Sequence, residues 1–271
     1  MSNDHPAIEG FARATAVVAD PSSLDNIHRG ALHRGWDIFG NAHGGTMLAI
    51  AGRAMADATN RRDVVTITGH FLAPGREGPV EISTEVEKEG RQFAMARSLM
   101  SAGDTTLMLA TATLGDVSQM SGPTKLDLAP PELPAPEDCI FDADFAPRFA
   151  SRVEMRMHPD DVRYMTGEPT GTMQIRGWFR LHDDEPIDSF GLVCAGDAFP
   201  PTIFNAGLPP TWTPTLEYTA HVRRRAAAGW LACSIRTRAL DNGFLEEDSE
   251  IWDCEGHLVA QTRQLALVGK S

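Results

Sequence analysis

The stretch at residues 41–59, NAHGGTMLAIAGRAMADAT, decides the fold. It opens with a His43-Gly44-Gly45 turn and runs on without proline. Met47, Leu48, Ala49, Ile50, Ala51, Ala54, Met55 and Ala56 put apolar or small side chains nearly all the way round a helical wheel. A helix apolar on every face is normally buried on every face. The paired glycines let another molecule approach the backbone. The unpaired N–H groups of a first helical turn can bind an oxyanion. The stretch therefore predicts a swallowed helix whose bare N-terminus polarises a carbonyl, yet it carries no catalytic side chain.

Working outward, strand patterns follow the helix. Val65, Ile67, Gly69 and Phe71 alternate with Val64, Thr66, Thr68 and His70. Val80, Ile82, Thr84 and Val86 alternate with Glu81, Ser83, Glu85 and Glu87, the mark of a half-buried strand. Further strands at 93–99 and 107–114, set off by Glu89-Gly90 and Ala102-Gly103-Asp104, complete a meander. Residues 1–30 are polar and carry little signal. Residues 116–145 hold Pro123, Pro130, Pro131, Pro134 and Pro136 and read as an extended linker, with polyproline character in PPELPAP. Beyond it the outline repeats. Strands at 153–157 and 173–181 precede a second buried helix from Asp188 to about Thr202, with Asp188 or Ser189 as its N-cap. Strands near 213–222, 231–239, 245–252 and 258–268 follow, with turns at Asn242-Gly243 and Glu255-Gly256. The layout is α+β: a half at 1–117, a Pro-rich linker at 118–146 and a half at 147–271. Each half is one long apolar helix laid on its own antiparallel sheet.

A net charge of −13, spread along the 271 residues, argues against nucleic acid and against an anionic membrane surface. A local basic patch could still take an anionic coenzyme. Cys139, Cys194, Cys233 and Cys254 form no CxxC pair, which disfavours a zinc site or a disulfide framework. No basic-then-apolar leader opens the sequence and no apolar run approaches membrane-spanning length, so the expectation is a soluble cytoplasmic protein. GxSxG, HExxH, GxGxxG and GxxxxGK[ST] do not occur.

With that layout in view, the chain resembles the acyl-CoA thioesterase II family, the TesB-type double hotdogs, from about Trp36 to Val268. HFLAPG (70–75) and EVEKEGRQFAMAR (85–97) resemble the family's first hotdog, and VEMRM (153–157) and IRGW (175–178) the start of its second. AGDAF (195–199), TPTLEYTAHVRR (213–224) and GHLVAQTRQ (256–264) resemble its three active-site segments. The resemblance implies that an Asp, a Thr and a Gln hold the hydrolytic water, and these carry over to Asp197, Thr215 and Gln264. It also implies a site shared between halves. In single hotdogs that carry HGG, the acid commonly lies seven residues after the second glycine; here that position is Gly52. Counting back seven from Asp197 gives Phe190. One helix has the glycine turn and the other the carboxylate, so the two half-sites are complementary.

Read residue by residue, a lone Asp197 is more often a buried, paired acid, and the repeat shifts that balance. Gln264 shares a small, apolar face with Leu258, Ala260, Thr262 and Ala266, so it points inward, toward a structural partner or a bound water. Thr215 falls on a polar face with Glu217, Thr219 and His221, which predicts exposure unless a strand end or bulge turns it inward. His43 is read as a cap rather than a general base. Asn41 could add an amide donor beside the turn. Asp57, near the polar end of the first helix, is read as solvated. Arg223, Arg224 and Arg225 are either a charged strand end or a contact to coenzyme A phosphates. No metal or cofactor is expected, acyl-CoA being the substrate, and a homo-oligomer is expected. Alternatives are a non-catalytic acyl-CoA or lipid-binding hotdog protein and a hotdog hydratase or dehydratase. The latter is disfavoured because no His follows Asp197 within 198–202.

Overall fold

The computed structural model describes residues 10–23, 26–141, 148–182, 185–208 and 212–269. Ahead of the predicted helix lie α1 (Phe11–Ala14), β1 (Val18–Ala19), β2 (Ile27–Leu32) and a small hairpin, β3 (Asp37–Ile38) and β4 (Asn41–Ala42). The first three fall where the sequence carries little signal. Their buried side chains, among them Phe11, Ala14, His28 and Leu32, are too scattered to set up a period.

The predicted helix is α2 (Gly44–Ala58), with His43 as its N-cap. Met47 is 2% exposed, and Leu48, Ile50 and Met55 are fully buried. Burying each such side chain stabilises the fold by roughly 1.5–3 kcal/mol. Around α2 run β5 (Asp63–Phe71), β6 (Gly78–Glu89), β7 (Ala94–Ala102) and β8 (Thr105–Gly115). In β6 the expected alternation holds: Val80, Ile82 and Thr84 are buried while Glu81, Ser83 and Glu85 are exposed. The second half holds β9 (Val153–Met157), β10 (Gln174–Leu181), α3 (Ser189–Ala195), β11 (Thr215–Val222), β12 (Leu231–Arg236), β13 (Leu240–Asp241), β14 (Phe244–Trp252) and β15 (Leu258–Leu267). Each half has a helix against a meander of strands, the double hotdog arrangement.

Two expectations are corrected. The two sheets are not separate. β5 and β11 pair antiparallel, so that the order runs β1-β2-β6-β7-β8-β5-β11-β15-β14-β12-β10-β9 in one continuous sheet. At this seam the hydroxyls of Thr68 and Thr219 meet at 2.8 Å. The second helix is also shorter than expected. It stops at Ala195, with Gly196 as C-cap, well before Thr202. Pro200 and Pro201 account for part of this, since proline removes a helical N–H and clashes with the preceding turn.

The described part of the linker docks on the second half. The Trp178 Nε1–H donates to the Pro134 carbonyl at 2.8 Å, and Leu133 packs with Trp178 against Trp252 and Leu258. Ile140 bridges to Met157. Residues 142–146 of the predicted linker lie outside the described residues.

The helices α2 and α3 cross at two matched places. Gly45 sits against Cys194, where an added Cβ would stand 3.1 Å from the Cys194 Cα. Gly52 sits against Phe190, where a Cβ would stand 3.1 Å from the ring. Phe190 thus fills the space opposite Gly52, and Arg53 lies over its ring at 4.6 Å while bonding the Asp188 carboxylate at 2.7 Å. Truncating this plug leaves a cavity between the helices. Phe190→Ala is expected to lower the unfolding free energy by about 3–5 kcal/mol, read as a lower denaturant midpoint at unchanged slope. A loss under about 1 kcal/mol would show that the helices do not depend on this contact.

Candidate active site

The site begins with the cap of α2. The Thr46 N–H donates to His43 Nδ1 at 3.2 Å, which leaves the ring proton on Nε2. From Nε2 it is donated to the Asp197 carbonyl at 2.8 Å, and the Asp197 Oδ2 is 3.3 Å away. The ring stacks on Phe149 with centroids 4.1 Å apart and is 3% exposed. His43 is thus a cap and a bracket between the halves, with both nitrogens committed.

Asp197 lies in the turn after α3, past the Gly196 cap, not midway along a helix as the sequence predicts. Its Oδ2 accepts the Gly45 N–H at 2.7 Å. A carboxylate is stabilised at a helix N-terminus by the orphan N–H groups and the dipole. Burial pushes the Asp197 carboxyl above its ordinary range, and the field of His43 and the Gly45 hydrogen bond pull it back. The close approach needs glycine: a Cβ on Gly44 would stand 2.9 Å from Asp197 Oδ2, and one on Gly196 would stand 2.4 Å from Thr262 Cγ2. The Gly45 N–H, one of the expected oxyanion donors, is therefore occupied by Asp197. The Gly44 N–H has no hydrogen-bond partner among the described residues. Asn41 stands half-buried on β4, just before the turn.

Thr215 faces inward because of a bulge. The β11–β15 register shifts between Thr215 and Glu217, so Thr215 stands opposite the buried Ala266 while Tyr218 stands opposite Gln264. Residues paired across strands share a face, so the irregularity takes Thr215 off the polar face of Glu217 and Thr219. Its hydroxyl donates to Gln264 Oε1 at 2.8 Å. The Gln264 Nε2 donates to Glu247, a carboxyl 4% exposed on β14. Glu247 Oε1 accepts from the Thr202 N–H at 2.7 Å. Burial pushes the Glu247 carboxyl up; its hydrogen bonds to Thr202 and Gln264 oppose this, and the charge of Asp197 adds to it.

The structure brings His43, Gly44, Gly45 and Asp197 together, and it joins Thr215 to Gln264. The two groups meet where Gly196 packs on Thr262, one inward position before Gln264 on β15. Ser249, one inward position after Glu247 on β14, donates to the Gly196 carbonyl at 3.3 Å. Arg223 and Arg224 are not part of this cluster. They follow the opposite end of β11 from Thr215, about 25 Å along an extended strand. There Arg223 bonds Gln261 at 2.9 Å and Arg225 bonds Asp63 at 3.2 Å. A cleft of about 590 Å³ lined by Arg61, Arg62, Arg91 and Asp116 also lies at that far end of α2. Asp57, likewise far from the turn, is 63% exposed and bonds His28 at 2.9 Å. Cys194 touches the cap of α2, but burial pushes its thiol far up, so it is no nucleophile.

Sequence reasoning missed Glu247 and its partner Thr202. Glu247 is flanked by Glu246 and Asp248 and looks like part of a solvated acidic run. The signal was there: counting by twos from the buried Leu245 reaches Glu247, Ser249 and the buried Ile251.

The fold is that of a two-half hotdog protein, in which a glycine turn from one half meets a carboxylate from the other. The family model of the acyl-CoA thioesterase N-terminal domain matches residues 32–115, and that of the C-terminal domain matches residues 123–268. The chain belongs to the acyl-CoA thioesterase family. It is 28% identical to an uncharacterized protein of Mycobacterium tuberculosis, over 94% of this chain and 97% of that one. Among solved structures it resembles a candidate thioesterase II of Thermobifida fusca, with a TM-score of 0.86 and 27% identity over 96% of this chain and 97% of that one. It also resembles a hot dog protein of unknown function from Alicyclobacillus acidocaldarius, with a TM-score of 0.86 and 19% identity over 96% and 98% of the two chains.

The raised Asp197 carboxyl makes a prediction about stability. A carboxyl whose folded-state pKa is raised holds its proton more tightly folded than unfolded. Its stabilisation is therefore full below the ordinary value of 3.8 and is lost as pH rises through the folded-state value. Asp197→Asn cannot lose a proton there. In thermal unfolding followed across pH 4–8, the variant is expected to gain on wild type as pH rises, by at most about 1.4 kcal/mol per pH unit for the one proton. A difference that stays flat across that range would show Asp197 to be unperturbed.

Proposed function

We propose that the protein hydrolyses an acyl-CoA thioester to a free acid and coenzyme A. The observation that carries this reading is the 2.7 Å contact between the Gly45 N–H and Asp197 Oδ2, which sets a base from one half beside the glycine turn of the other. A thioester carbonyl placed at the turn would meet the free Gly44 N–H, which would polarise it and stabilise the oxyanion. Ionised Asp197 would take a proton from water as the water oxygen bonds the carbonyl carbon. Thr215 and Gln264 would hold that water. The carbon–sulfur bond would then break, and the proton on Asp197 would pass to the departing sulfur. In this scheme His43 braces the backbone of Asp197, and the far-end arginines take no part. We read the protein as a cytoplasmic homo-oligomer, as expected from the sequence.

One observation favours a second reading. His43, absent from the residues after Asp197, is supplied from the other half at 3.3 Å, and a hydratase or dehydratase needs such a pair. Both His43 nitrogens are spent on Thr46 and the Asp197 carbonyl, and the ring is buried, so it lacks a free atom to offer a substrate.

The test is release of free thiol from acyl-CoAs of several chain lengths. Wild type is expected to release thiol, and Asp197→Ala to do so at least about 100-fold more slowly. Binding of acyl-CoA without turnover at any length would point to the lipid-binding alternative. A change in enoyl absorbance without thiol would point to the hydratase. Thiol release by Asp197→Ala at the wild-type rate would remove Asp197 from the reaction.

A further inference from the structure

Beyond the half-buried Asp197, the site holds a carboxyl that is fully buried and that the reaction above does not use. Glu247 anchors a row of four oxygens. Its Oε1 is 2.8 Å from the Thr202 hydroxyl. That hydroxyl is 2.7 Å from the Thr237 hydroxyl. The Thr237 hydroxyl is 2.6 Å from the Glu246 carbonyl. Each separation is that of an O–H···O hydrogen bond, so each of the three gaps needs a hydrogen. The Glu246 carbonyl brings none. Thr202 and Thr237 bring one each. The third hydrogen must come from Glu247.

We infer that Glu247 is a neutral carboxylic acid that positions Gln264 and leaves Asp197 as the one anion of the site. The hydrogens then run one way, from Glu247 to Thr202, from Thr202 to Thr237 and from Thr237 to the Glu246 carbonyl. The other oxygen of Glu247 accepts the Gln264 Nε2–H, which turns Gln264 Oε1 toward the Thr215 hydroxyl. A flipped amide would set its own oxygen against the accepting oxygen of Glu247, so the orientation is held from that side. Burial and the charge of Asp197 favour the same state, against the donors of Thr202 and Gln264. Among the described residues no cation pairs with Glu247, and Asp197 is the charged group whose field reaches it. Two anions so placed would repel in a buried site, so one of them keeps its proton.

The role in catalysis rests on the hydrolase reading, whereas the protonation state is read on the protein alone. The experiment is difference infrared spectroscopy at neutral pH, without substrate. Wild type is expected to show a protonated-carboxyl C=O stretch that Glu247→Gln removes and Asp197→Asn keeps. Thr237→Val, which deprives Thr202 of the acceptor for its hydrogen, is expected to shift that band, and it serves should Glu247→Gln fail to fold. A spectrum in which neither variant alters a protonated-carboxyl band overturns the inference. In turnover, Glu247→Gln cannot accept both the Thr202 and Gln264 N–H groups. It is expected to lower kcat by on the order of 100-fold with KM little changed, because the water loses its seat. The acid limb of the pH–rate profile should stay in place, since no charge near Asp197 is removed. A limb that moves to lower pH would mean that Glu247 was ionised and would likewise overturn the inference. A protein that shows the band and releases no thiol would leave Glu247 neutral and count against the hydrolase reading instead.

Discussion

The hydrogen bond from the Gly45 N–H to the Asp197 carboxylate is the constraint around which the molecule is arranged. It joins groups that are 152 positions apart, and it is made where burial would otherwise disfavour a charge. It requires α2 and α3 to cross closely enough that Gly45 touches the backbone of Cys194. That crossing is held by the sheet, since β5 and β11 pair edge to edge and carry both halves as one body. His43 secures the same junction from the side, capping α2 with one nitrogen and holding the Asp197 carbonyl with the other.

The two halves are related by an approximate exchange of roles, and the exchange is broken on purpose in chemical terms. Where one crossing has glycine facing a carboxylate, the other has Gly52 facing Phe190. His43 caps α2 through a ring nitrogen, and Asp188 caps α3 by accepting the Gly191 N–H at 2.8 Å. The second crossing keeps the architecture of a site and is filled with a ring under a salt-bridged arginine. One place is thus given to stability and the other to an acid that stability would not choose. Such a division is expected where function needs a buried charge.

Much of this was legible in the residues. The all-round apolar pattern of α2 and the β6 alternation can be counted by eye, and the complementary spacing of Gly45, Gly52, Phe190 and Asp197 follows once the family resemblance supplies the seven-residue rule. What was not legible has specific causes. Glycine and two prolines cut α3 short, and an apolar run alone does not show where a helix stops. The bulge before Glu217 reverses the face of Thr215, and strand parity counted from sequence has no way to register an extra residue. The seam between β5 and β11 is lined outwardly by Thr68 and Thr219, residues that read as solvent-facing because pairing between distant edges leaves no local trace. The same parity count that misled at Thr215 would have found Glu247, had its acidic neighbours not suggested a surface.

Under the proposed function each chain has one site, built from both halves. Calorimetric titration with a non-hydrolysable acyl-CoA thioether tests it most directly. One thioether is expected to bind per chain. Two per chain would mean that the crossing at Gly52 and Phe190 is a second site, and none would mean that the glycine turn and Asp197 do not form a site for this ligand.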